Sequence, residues 1–168
     1  MKDTLKDISV IAIEEKVPGL TVEHVKSTWL GNAPASDDEI KNAEERLGVE
    51  LPKDYKDFLK ITNGFFTPCD STEPTFEKVN DIDHLKNVDP FLLEIWNEEP
   101  LIDIGIQLNR AIVVGGINDE QYFLLISPDN TNQDWQYWKF ASWIPGGEPY
   151  GDLKAYFESV LDFMKDRS

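Results

Sequence analysis

Chemistry in this chain of 168 residues would have to come from few residue types. His24 and His84 are its two histidines. Each stands among charged or polar neighbours, and neither has partners at the spacing of a nucleophile–base–orienter triad. Both read as ordinary surface side chains. Cys69 is the single cysteine, and a reactive thiolate needs a depressed pKa, which Asp70 beside it opposes. Glu98-Glu99, Asp119-Glu120 and Asp81-x-Asp83 supply carboxylate pairs of the kind glycosidases use. That chemistry holds two carboxyls at a set separation across a sugar cleft, and solvated charge is the better reading. Residues 129–134 alternate Asp and Asn like a calcium loop, but lack glycine at the sixth position and carry Phe140 at the twelfth, where glutamate belongs. A polar hairpin loop accounts for them. Gly115-Gly116 and Gly146-Gly147 lack both the G-x-G-x-x-G spacing and the Lys-Ser/Thr of a phosphate loop, so they read as turn glycines. No catalytic residue, metal set or cofactor is expected, and the chain does not read as an enzyme.

Charge is more informative. The formal net charge is −16, from 32 acidic and 16 basic residues. Such a chain repels nucleic-acid backbones and anionic membranes and attracts basic surfaces. The excess is uneven: Asp70 to Asp103 hold ten acidic residues and two basic ones, half of the total in a fifth of the chain. Solvated surface and electrostatic steering toward a basic partner both explain that segment. Aromatic residues form a second concentration at Trp135, Tyr137, Trp138, Phe140 and Trp143. On a strand, Trp135, Tyr137 and Lys139 face one way and Gln136, Trp138 and Phe140 the other. Either both faces are covered, by helices on one side and a flanking loop on the other, or one aromatic pair joins Glu148 and Tyr150 in a binding surface.

The elements that must position these groups follow from periodicity. With 40% hydrophobic residues the chain is long enough for one domain with a substantial core. Leu5, Ile8, Ile11 and Ala12 have helical spacing over residues 4–15, although residues 10–13 also fit a short strand. Val22, Val25, Trp29 and Leu30 suggest a further turn or two of helix. Ser36 and Glu39 form a capping box, Ile40, Ala43 and Leu47 recur on one helical face, and Gly48 stops that helix. Pro52 opens a second helix whose buried stripe is Tyr55, Phe58, Leu59 and Thr62. Residues 65–74 read as a loop. Asp89-Pro90 predicts an N-cap and first turn, with Phe91, Leu92, Ile95 and Trp96 on the apolar side of a helix reaching Glu98 or Glu99. Strands are expected at 101–106, 111–114, 122–126 and 135–140, then a loop at 145–149, then a C-terminal helix carrying Leu153, Tyr156, Phe157, Val160, Leu161 and Met164. The layout is α+β, a central antiparallel sheet flanked by helices. One domain, 1–168, is expected, with residues 1–34 a helical extension and 35–168 the core. Without a signal-peptide or membrane-length apolar run, the chain reads as cytoplasmic.

Glu39, Ile40, Ala43, Glu44, Leu47, Gly48, Val49, Leu51, Pro52, Asp54, Tyr55, Phe58, Leu59, Asn63 and Gly64 resemble the N-terminal signature of the SUKH superfamily, the Smi/Knr-like proteins. In bacteria that resemblance implies a non-enzymatic immunity protein that binds and neutralises a cognate toxin domain, often a nuclease. In fungi it implies a regulatory or scaffold domain of cell-wall control. On the immunity reading the partner is a basic toxin, with no role for nucleic acid or membrane. Its expected contacts are Glu98, Glu99, Asp119, Glu120, Asp134, Trp135, Trp138 and Glu148.

Overall fold

A computed structural model describes residues 1–68, 73–141 and 147–167. Cys69, Asp70, Trp143, Pro145 and Gly146 lie outside the described residues. The first helix, α1 (Lys2–Glu14), runs through residues 10–13, so helix prevails over strand there, and Leu5, Ile8 and Ala12 are buried along one face. The short α2 (Val22–Ser27) opens on a capping box formed by Thr21 and His24. Its valines do not face inward: Val22 is 86% and Val25 52% exposed. His24 is half-buried, accepting the Thr21 N–H through Nδ1 and stacking on Phe66 with ring centroids 5.7 Å apart, so it is a surface side chain with a structural role.

The central pair of helices follows its local signals. Ser36 Oγ accepts the Glu39 N–H at 3.1 Å and Glu39 Oε2 accepts the Ser36 N–H at 2.8 Å, starting α3 (Asp37–Leu47). Gly48 ends it at φ 68°, a left-handed conformation that a side chain would strain. Pro52 then caps α4 (Lys53–Leu59), and Glu44 Oε1 accepts the Leu51 N–H at 2.9 Å across the corner between the helices. Tyr55, Phe58, Leu59 and Thr62 are all buried.

The second half departs from expectation in several places. A two-residue strand, β1 (Asp83–His84), leads into α5 (Leu85–Val88), and His84 Nε2 bonds the Leu47 carbonyl at 2.9 Å, which makes it a tie between elements. Asp89 caps α6 (Pro90–Trp96) as predicted, but the helix ends before Glu98, and its buried residues are Leu92, Leu93 and Trp96. Phe91 and Ile95 point outward. Residues 101–106 are not a strand: α7 (Ile102–Leu108) occupies them. Their alternating isoleucines mimic period 2, yet Leu101, Ile104, Gly105 and Leu108 share one helical face, and that face is the one turned inward. The strands β2 (Ala111–Gly115), β3 (Tyr122–Ile126) and β4 (Gln136–Phe140) fall where alternation and turn residues place them. A further departure is β5 (Glu148–Tyr150), which overlaps the end of the expected loop at 145–149 and precedes α8 (Leu153–Arg167). The sheet is antiparallel throughout, in the order β1-β2-β3-β4-β5.

Both faces of this sheet are covered. Ile112, Val114, Phe123, Leu125 and Tyr137 join the core built with α1, α3, α4 and α8. Ala111, Val113, Leu124, Ile126, Trp138 and Phe140 join a second core with α5, α6 and α7, so helices cover the face where a loop was expected. At the α6–α7 corner Gly105 allows close approach: a Cβ there would stand 2.1 Å from the Trp96 carbonyl oxygen. Alanine gains about 1 kcal/mol of helix propensity over glycine, but overpacking a fixed backbone contact costs about 1–3 kcal/mol. Gly105→Ala is therefore expected to lower stability in urea unfolding; an unchanged or raised midpoint would show that the corner tolerates separation.

Candidate partner-binding surface

The sheet register decides which expected contacts can act together. Ala111 pairs Ile126 and Ile126 pairs Gln136 at one end, while Tyr122 pairs Phe140 at the other. Asp119 and Glu120 lie in the β2–β3 turn at the second end. Asp134 and Trp135 immediately precede Gln136 at the first. The eight residues therefore do not form one patch.

Several of them have structural partners. Asp119 Oδ2 accepts the Thr75 N–H at 2.8 Å, beside Glu77, which accepts the Ile117 N–H at 3.3 Å. Burial pushes the Glu77 carboxyl up, and the charges of Asp119 and Asp81 add to that, against the Ile117 hydrogen bond. Glu148 pairs with Lys139 at 3.1 Å, and Lys139 also pairs with Glu73 at 3.1 Å. Burial works against the Lys139 charge, yet Glu73 and Glu148 more than offset it and hold the ammonium protonated above its usual range. Tyr156 completes this cluster by donating to Glu73 at 2.8 Å. Trp138 is 9% exposed and belongs to the second core, with its ring against Gly147. Trp135 is half-buried and, with Val49, Leu51, Pro52 and Pro128, lines an open groove of about 500 Å³. Asp134 and Glu120 are exposed.

The 129–134 loop is tied together by its own polar groups. Asp129 Oδ1 accepts the Thr131 hydroxyl and the backbone N–H groups of Thr131 and Asn132 at 2.7–2.8 Å, while Arg110 pairs with the other oxygen. These hydrogen bonds, the Thr131 hydroxyl first, hold the Asp129 carboxyl down at about 2. Among the described residues no three His, Cys, Asp or Glu side chains gather as a metal site.

Glu98 and Glu99 fall on the connection between α6 and α7, beside a feature periodicity misassigned. Phe91 is 69% and Ile95 45% exposed. With Asp89, Leu92 and Trp96 they line a shallow cleft of about 320 Å³. Asp89 fixes the start of α6, accepting the Leu92 N–H at 3.0 Å and the Tyr122 hydroxyl at 3.1 Å. Burial, then the Asp89 charge, pushes that hydroxyl up to about 12. A sequence signal for the exposure exists: six of the seven α6 residues are nonpolar, and a two-turn helix on a sheet buries only one side.

The described residues thus form an α+β domain whose central strands, β2 to β4, are covered on both faces while the edge strand β5 is largely exposed. The SMI1 / KNR4 family (SUKH-1) profile matches residues 34–166, and the chain belongs to that family. At the level of the family, this is an immunity-protein-type domain, generally non-enzymatic, of a kind that binds partner proteins. A search of curated proteins returned no match. No helix among the described residues is long and apolar enough to cross a membrane.

The depressed Asp129 carboxyl makes a stability prediction. Its contribution is complete above the ordinary value of 3.8, declines as pH falls toward about 2, and is gone below that. Asp129→Asn should be less stable than wild type near neutral pH, with the gap closing across that window. Urea unfolding at stepped pH measures it, and a gap that stays constant down to the lowest pH would remove the carboxylate as its source.

Proposed function

We propose that this protein binds a basic toxin domain and neutralises it, in the cytoplasm of the cell that makes the toxin. Neutralisation is by occupation of the toxin's functional surface, without catalysis and without a cofactor. The observation that carries this reading, beside the family, is the charge: −16 overall, with half of it between Asp70 and Asp103. Domains that handle nucleic acid carry clustered Lys and Arg to neutralise phosphate. An acidic inhibitor meets such a surface by electrostatic attraction, which accelerates encounter and falls with ionic strength. A nuclease domain is accordingly the partner class that fits best.

The test begins with the tagged full-length chain, used to isolate its stoichiometric basic partner from the source cells. The partner, expressed alone from an inducible promoter, should arrest growth, and co-expression of this chain should restore it. The association rate should drop by about tenfold or more between low and moderate salt. A partner that is harmless alone, or growth arrest that persists on co-expression, would overturn the reading.

A further inference from the structure

We infer that the docking surface is the outer face of α6 with the adjoining start of α7, and that its occupant is a basic protein surface presenting one apolar anchor side chain flanked by Lys or Arg. The inference rests on the basic-partner reading and gives that partner an address. Phe91 and Ile95 stand one turn apart on the outer side of α6, leaving the shallow cleft of about 320 Å³ open beside them. Its dimensions suit a single large side chain, the usual form of an interface anchor. Ile106, 50% exposed on α7, adds apolar surface beside Gly105 in sequence, whose backbone packs against the Trp96 carbonyl.

The rim supplies the chemistry of the occupant. Residues 87–109 hold five acidic residues and no Lys or Arg. Four of them, Glu94, Glu98, Glu99 and Asp103, are exposed and have no ion-pair partner among the described residues. Some carboxylates elsewhere do share a cation: Glu44 shares Lys56 with Glu50, Glu73 and Glu148 share Lys139, and Asp129 has Arg110. What sets the α6–α7 segment apart is that its unpaired carboxylates adjoin exposed apolar side chains. An apolar centre with an unneutralised acidic rim complements a basic, apolar-tipped surface. The same rim repels an anionic lipid surface or a nucleic-acid backbone. A two-fold contact with a second copy would set the rim against itself.

The experiment titrates the isotope-labelled full-length chain with two synthetic amidated peptides, following backbone amide shifts by NMR. One peptide carries Leu-Trp flanked on each side by two basic residues; the control carries Ser-Ser between the same residues. Shifts should concentrate in residues 89–106, with the Leu-Trp peptide binding about tenfold more tightly than the control, a difference of about 1.4 kcal/mol. Phe91→Ser, at an exposed position, should abolish that tenfold preference. Paired reversal of Glu94 and Glu98 to Lys should weaken both peptides. Shifts centred on the Trp135 groove or the Glu73–Lys139–Glu148 cluster, equal affinity for both peptides, no binding at millimolar concentration, or an unchanged preference in Phe91→Ser would each overturn the assignment. Growth restoration by the wild-type chain together with such a result would move the interface and leave toxin binding intact. Peptide binding at this face without growth restoration would sink toxin neutralisation and leave the docking surface standing.

Discussion

Central strands covered on both faces constrain everything else in this protein. All five residues of β2 are buried, and so are four of five in β3. Alternate side chains therefore need apolar cover on both sides, and no single helical layer can provide it. The larger layer is knitted by aromatic contacts: Phe58, Phe76 and Phe157 meet with ring centroids 5.0–5.6 Å apart. The smaller layer, α5 to α7, is short and covers its face with few residues, Trp96 against Phe140 at 5.0 Å among them. Apolar side chains crowd into those few turns, and some are left on the outside.

The polar residues of the helical signature explain why it speaks so clearly of fold and so little of partner. Glu44 accepts the Leu51 N–H, Asn63 Oδ1 accepts the Val79 N–H at 2.7 Å, and Asp54 takes the Tyr137 hydroxyl and the Leu153 N–H. Each hydrogen bond joins separate elements, so each of these side chains is committed internally. These side chains therefore report how the fold is held together.

The elements legible in sequence were those with local signals: the capping box at Ser36, Gly48 as a stop, Asp89-Pro90 as a start, and the apolar runs of β2 and β3 between turn residues. The 101–106 segment was not, because Ile102, Ile104 and Ile106 satisfy period 2 while the helical face is completed by a glycine and residues outside the run. β1 and β5 are two and three residues long, too short for any pattern, and Pro149 in β5 argues for a loop. Site residues were harder for a different reason. Whether Asp119 and Asp134 share a surface depends on register, which is a pairwise property of distant strands. Whether Phe91 or Leu93 is buried depends on how a short, almost wholly apolar helix is rotated on its sheet, and composition leaves that rotation open.

The bonds made by Asp54 span 83 residues to Tyr137 and 99 to Leu153, and the first helix docks on the last. Closing such long loops costs chain entropy before any contact rewards it, so a topology of this kind folds slowly for its size. During synthesis the aromatic face of α4 emerges long before the helix that shelters it. Until α8 is made, Phe58 lacks its Phe157 partner, and the core that joins the first helix to the last cannot close.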